Sequence, residues 1–211
     1  MIILGLTGSI GMGKTTAAAA LRQLGVPVLA ADAAVHRLTK PRGRALPEIE
    51  AAFPGTVHDG ILDRGRLAAL VFGNDAALTR LEAILHPLFA SEERRFLAAM
   101  RRRRRRVVAI DIPLLYEIAA ERHMDAVIVV SAPPFVQRGR VMARRGMTAE
   151  RFAAILARQM PDREKRKRAD FIVNTGGPRR EALRRLAVIV DSVRKSPPRR
   201  GQRRRLTTGL F

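Results

Sequence analysis

A chain of 211 residues, 47% hydrophobic and without cysteine, has room for one sizeable core and excludes disulfides, thiolate metal sites and a thiol nucleophile. The 40 Lys+Arg against 19 Asp+Glu give a net charge of +21. All but five of those bases are arginine and aromatics are only 4%, which reads as residue usage along the whole chain rather than a nucleic-acid surface.

No apolar run reaches the roughly 18 residues of a membrane span, and the N-terminus lacks a signal-peptide pattern. A cytoplasmic protein with no membrane partner is expected. Apolar runs at 2–6 (IILGL), 26–30 (VPVLA), 107–112 (VVAIDI), 126–130 (AVIVV) and 171–174 (FIVN) have the length and continuity of strands buried on both faces. Between the first two, a helix starts at Lys14 and is stopped by Gly25. This alternation predicts an α/β fold with a parallel sheet of about five strands between helical layers.

The long stretch before residue 107 has no strand signal and reads as an inserted helical lobe. Leu67, Leu70 and Val71 share one helical stripe. Asn74 caps a helix carrying Leu78, Leu81, Ile84 and Leu85, which His86-Pro87 is expected to end; a further helix with Phe89, Phe96, Leu97 and Met100 runs into the arginines 101–106. After Pro133 and Pro134 the pattern predicts two helices separated by Gly146. A last helix over 179–195 places Leu183, Leu186, Val190 and Val193 at core spacing. The remainder, 196–211, has Pro, Gly and like charges without periodicity and is expected to be a disordered basic tail.

Residues 8–15 read G-S-I-G-M-G-K-T, a complete G-x-x-x-x-G-K-[ST] phosphate-binding loop between an apolar strand and a helix. Backbone N–H groups and the helix dipole would converge there on one anion. Gly8, Gly11, Met12, Gly13, Lys14, Thr15 and Thr16 are therefore the expected nucleotide-binding set. Lys14 would reach the β- and γ-phosphates of ATP, and the Thr15 hydroxyl would serve Mg²⁺. Asp32 follows the second strand-like run, where it either orients and deprotonates an acceptor hydroxyl or caps the helix 33–38. Asp111 is either a carboxylate reaching Mg²⁺ through water or a strand-end cap.

Taken in order, LTGSIGMGKTT, GVPVLAADAAVHRL, LHPL at 85–88, IDIPLLYE at 110–117 and RQMPDREKRKRADFIVNTGG at 158–177 resemble the dephospho-CoA kinase family. The resemblance implies a three-layer P-loop kinase fold that transfers the γ-phosphate of ATP to the ribose 3′-hydroxyl of dephospho-CoA. It divides a single domain 1–195 into a core (1–40, 107–137 and 166–195), a CoA-side lobe (41–106) and a lid (138–165).

It also implies Asp32 as base, Arg140 and Arg144 as lid arginines, and Asn174 and Gly176 in the adenine loop. Pro113, Leu114, Leu115 and Glu117 become an acceptor-side wall, which core packing would explain as readily, and His86 becomes substrate-side support unless it is a structural cap. The family's D-A-D reads Ala30-Ala31-Asp32 here, so its first carboxylate is missing. The chain is expected to be a monomer without a nucleic-acid partner, its arginine clusters solvated. A kinase of a nucleotide or another small hydroxyl compound and a nucleotide-dependent RNA-binding protein are the competing readings.

Overall fold

The computed structural model describes residues 1–196, so the expected basic tail lies outside the described residues except for Ser196. In chain order the elements are β1 (Ile2–Thr7), α1 (Lys14–Gln23), β2 (Val28–Ala30), α2 (Ala31–Leu38), α3 (Leu46–Ala52), β3 (Val57–His58), β4 (Ile61–Leu62), α4 (Arg64–Val71) and α5 (Asp75–Arg102). Then come β5 (Val107–Asp111), β6 (Ala126–Ser131), α6 (Pro134–Met142), α7 (Ala149–Ala157), α8 (Asp162–Arg168), β7 (Phe171–Asn174) and α9 (Arg179–Lys195). Two compact units result: Met1–Val28 with the chain from Arg103 on, and Leu29–Arg102.

The first unit is built on a five-stranded sheet of order β2-β5-β1-β6-β7. Its central pairs are parallel, with Ile3 opposite Val108, Leu6 opposite Ile128 and Ile128 opposite Phe171. Leu4, Leu6, Ile128, Val130, Phe171 and Val173 form one face, completed by Leu21 of α1 and Leu186, Ile189, Val190 and Val193 of α9. The alternating residues Ile3, Val108, Ile110, Val127 and Val129 are buried as well, so both faces are covered. On that second face Leu115 packs so close to Gly5 that a Cβ there would lie 2.7 Å from its Cδ1. Helix α1 ends as expected at Gly25: with φ 74°, its N–H donates to the Arg22 carbonyl while that of Val26 donates to Leu21.

The second unit packs Leu38, Leu46, Ile49, Phe53, Leu62 and Leu67 against the apolar side of α5. Its N-terminal boundary falls at Leu29 rather than at residue 41 because α2 buries Ala34 and Leu38, and Leu38 belongs to this cluster.

Several local expectations change. Pro87 does not end a helix: α5 runs unbroken from Asp75 to Arg102. A proline there removes one N–H, but Ala83, whose carbonyl loses its donor, is exposed to water, and Leu85 and Leu88 on either side pack into the unit's core. The lobe also contains a strand pair that escaped the pattern, β3 and β4, antiparallel around Asp59 (φ 51°) and Gly60 (φ 72°). Asp-Gly with two positive φ values is a hairpin turn, and strands of two residues are too short to show alternation. Leu70 is 44% exposed and leaves the α4 stripe to Leu67 and Val71. Asn74 does cap α5, accepting the Ala77 N–H at 3.0 Å. Residues 134–168 hold three helices rather than two.

Candidate active site

The phosphate loop turns off β1 and ends on α1. Gly13, with φ 83°, is the residue before the helix, a left-handed conformation that a side chain would strain. At Gly8 a Cβ would sit 2.5 Å from Val130 Cγ2, so its absence lets the loop lie against β6. Met12 is 2% exposed, its side chain belongs to the core, and its Sδ accepts the Ala132 N–H. Its N–H closes a turn onto Ser9. The N–H groups of Gly13, Lys14, Thr15 and Thr16 have no acceptor among the described residues, and these are the groups that a helix N-terminus offers to an anion.

Lys14 Nζ lies 2.6 Å from Asp111 Oδ1 at the end of β5. Asp111, read as a Mg²⁺ carboxylate or a strand-end cap, forms an ion pair with the loop lysine, its carboxylate nearly buried. Thr15 and Thr16 expose their side chains on the first turn of α1. One hydroxyl and one carboxylate suit Mg²⁺, which usually keeps several waters and takes few protein ligands beside phosphate oxygens. Thr15 and Asp111 are therefore a donor set of the right chemistry.

Long-range polar contacts hold the loop from outside. Ile10 donates its N–H to Gln159 Oε1 at 3.0 Å and accepts from Gln137 Nε2 at 2.8 Å. Thr175 Oγ1 donates to the Met12 carbonyl at 2.8 Å. Arg140 reaches the same Thr175, its Nη2 donating to the backbone carbonyl at 2.6 Å, and its Nη1 lies 3.5 Å from the Gly11 carbonyl.

Arg144 does not share a helical face with Arg140. Helix α6 stops at Met142, and the Arg144 N–H folds back to the Val141 carbonyl in a tight turn leading to Gly146 (φ 74°), so Arg144 sits exposed beyond the helix. Asn174 ends β7 and accepts the Gly176 N–H at 2.8 Å, forming the turn that contains Thr175. Asn174 also lines a cleft of about 560 Å³ with Ser131, Pro133, Asp162, Arg163 and Arg166, within the size range of small-molecule sites.

The segment after β5 is tied down more than its sequence suggested. Pro113 offers its carbonyl to Thr7 Oγ1 at 3.0 Å and to Lys165 Nζ at 3.3 Å. Leu115 is fully buried and Leu114 is 37% exposed, so of the two leucines expected in an acceptor wall only Leu114 faces solvent. Glu117 pairs with Lys165 at 2.8 Å and accepts the Met160 N–H at 2.7 Å. Lys165, with no exposed surface, was not singled out in the sequence, because a lysine within D-R-E-K-R-K-R reads as one more solvated charge.

In the second unit Asp32 lies in the first turn of α2, exposed and without a side-chain partner among the described residues. It does not cap the helix, whose N-cap position is Ala30 and has no side-chain cap bond. His86 is exposed in the middle of α5, so it is not a helix-ending cap.

The chain matches the family described as dephospho-CoA kinase over residues 2–180. It belongs to the dephospho-CoA kinase family.

A dephospho-CoA kinase from Brucella melitensis is 51% identical over 197 residues, covering 93% of this chain and 98% of that protein. One from Paramagnetospirillum magneticum is 58% identical over 198 residues, covering 94% and 93%. Among solved structures, TT1252 from Thermus thermophilus superposes with a TM-score of 0.79 at 39% identity, covering 90% of this chain and 96% of that one. A dephospho-CoA kinase from Campylobacter jejuni, at 24% identity and a TM-score of 0.67 with 92% and 97% covered, shares the fold. The kinase phosphorylates dephospho-CoA in coenzyme A biosynthesis, with ATP as the phosphoryl donor.

Proposed function

We propose that the enzyme transfers the γ-phosphate of ATP to the ribose 3′-hydroxyl of dephospho-CoA, with its residues in the following roles. The observation that carries this reading is the row of four unengaged N–H groups, Gly13 to Thr16, opening α1 beside Lys14. Such a row binds a polyphosphate through backbone donors and the helix dipole together. Lys14, resting on Asp111, is within reach of the β- and γ-phosphates by rotating its flexible stem, and its charge offsets what builds up on the transferring group.

Thr15 and Asp111 would hold Mg²⁺, which would supply charge neutralisation for the transfer. Asp32, an exposed carboxylate without a side-chain partner, orients the acceptor hydroxyl and receives its proton. With Ala30 in place of the family's first carboxylate, that role rests on Asp32 alone. Arg140 stabilises the transferring phosphoryl group and, through Thr175, the adenine loop of Asn174 and Gly176; Arg144 approaches the phosphates from beyond α6. His86 supports the substrate from the second unit, and in the first Pro113 and Leu114 serve acceptor binding, with buried Leu115 and half-buried Glu117 as support. The enzyme acts as a cytoplasmic monomer.

Mass-resolved product formation with ATP and Mg²⁺ tests the reading, offering dephospho-CoA, AMP and adenosine in parallel at low salt. Coenzyme A is expected to form far faster than the other products. Faster phosphorylation of AMP or adenosine would overturn the acceptor assignment and leave the phosphate loop standing.

A further inference from the structure

Neither Gln137 nor Gln159 belongs to the phosphate-binding motif, yet between them they hold both polar backbone groups of Ile10 inside it. Gln137 lies in the first turn of α6 and Gln159 in the connection between α7 and α8, so the two flank the rest of α6 and α7, most of the stretch 138–165 expected to act as a lid. Their polarities are fixed by their partner. The Ile10 N–H can only donate and its carbonyl can only accept, so position 159 must present an acceptor and position 137 a donor.

Gln137 is 8% exposed, so its side-chain amide has little water to turn to in place of that carbonyl. The next carbonyls along the loop are engaged too, that of Met12 by Thr175 and that of Gly11, at longer range, by Arg140. With these carbonyls engaged, the following N–H groups, Gly13 to Thr16, are left for an anion.

We propose that Gln137 and Gln159 are positioning residues for phosphoryl transfer: by holding the two polar groups of Ile10 they set the shape of the phosphate loop and tie it to α6 and to the α7–α8 connection. ATP affinity then depends on where these two segments sit, and the dephospho-CoA site does not. This rests on the assignment of the phosphate loop as the ATP site.

The test varies ATP at saturating dephospho-CoA for wild type, Gln137→Met, Gln159→Met, Gln137→Glu and Gln159→Glu, with ATP binding followed separately by calorimetry. Each methionine variant, near in shape but without the hydrogen bond, is expected to raise the KM and Kd for ATP about fivefold to tenfold, leaving the KM for dephospho-CoA within about twofold. The two glutamates place the same charge beside Ile10, so the difference between them reads hydrogen-bond direction: Gln159→Glu keeps an acceptor and should bind ATP at least about fivefold more tightly than Gln137→Glu.

ATP constants within about twofold of wild type in both methionine variants, equal behaviour of the two glutamates, or a loss confined to kcat would each overturn the proposal. If a methionine variant fails to fold, Gln→Asn at the same position, one methylene too short to reach Ile10, takes its place. Wild type that binds ATP but does not phosphorylate dephospho-CoA would overturn the acceptor assignment instead, and the calorimetric comparison would still decide the role of the glutamines.

Discussion

The two units of the kinase are held together by different means. In the first, backbone groups of a single loop are fixed by side chains far away in sequence, Gln159 being 149 residues from Ile10 and Thr175 163 residues from Met12. In the second, the side chains that hold backbone groups are local: Glu50 accepts the N–H groups of Gly55, Thr56 and Val57, Asp63 caps α4 and Asn74 caps α5. Its polar contacts between more distant residues join side chain to side chain, Arg64 with His36 and Thr39 and Arg37 with Glu92, around the apolar cluster of Leu38, Ile49, Phe53 and Leu67. Hydrophobic contacts are non-directional and set where an element sits. A phosphate site also needs N–H vectors aimed at one point, and only directional bonds supply that. The lesson is that the phosphate-binding unit needs a polar frame where a packed lobe does not.

The largest expected effect tests the second unit's single proposed chemical contribution. Asp32→Asn should lower kcat about a thousandfold while leaving the ATP Kd within about twofold. An unchanged kcat in steady-state assays would reduce Asp32 to a surface residue of α2. In the first unit, Lys14→Ala should reduce kcat/KM for ATP by about a hundredfold to a thousandfold, with the fold retained by circular dichroism. Wild-type turnover in that variant would remove the lysine from the mechanism.

The next effect is on stability. Lys165→Met leaves Glu117 half-buried without its cation and should destabilise the first unit by about 3 kcal/mol in denaturant unfolding. A change near zero would mean that Met160 and water suffice for Glu117. Smaller still is the second unit's own polar tie. The Gly55 N–H most of all, with those of Val57 and Thr56, holds the Glu50 carboxyl below its ordinary value of 4.5. A depressed folded-state value stabilises the unit above the unfolded value and loses that contribution as pH falls through the depressed one. The thermal midpoint of Glu50→Gln should therefore trail wild type at pH 7, and the gap should close toward pH 3; a gap that ignores pH would break the assignment. Leu70→Gln should be the mildest, within about 0.5 kcal/mol of wild type, because this side chain is 44% exposed and outside the cluster that its neighbour Leu67 joins.

The five strand-like runs, the helix stopped at Gly25 and the last helix over 179–195 were legible in sequence because each is specified by neighbours within a few turns. The phosphate-loop motif was legible for the same reason, since its glycines, Lys14 and Thr15 lie within eight consecutive positions. What stayed hidden depends on partners distant in the chain. Pro87 reads as a helix end until Leu85 and Leu88 are seen packed on either side of it. Arg144 reads as helical until Gly146 turns the chain.

Sequence by itself determined the alternation of strands and helices and the identity of the phosphate site, since periodicity and a contiguous motif are local properties. Tertiary structure alone decided that Lys165 is buried against Glu117, that Asp111 receives Lys14, and that Gln137, Gln159 and Thr175 frame the loop. Hydrogen bonds between residues a hundred positions apart leave no periodic trace in a chain, and whether a polar side chain is solvated or engaged is settled only by what folds against it.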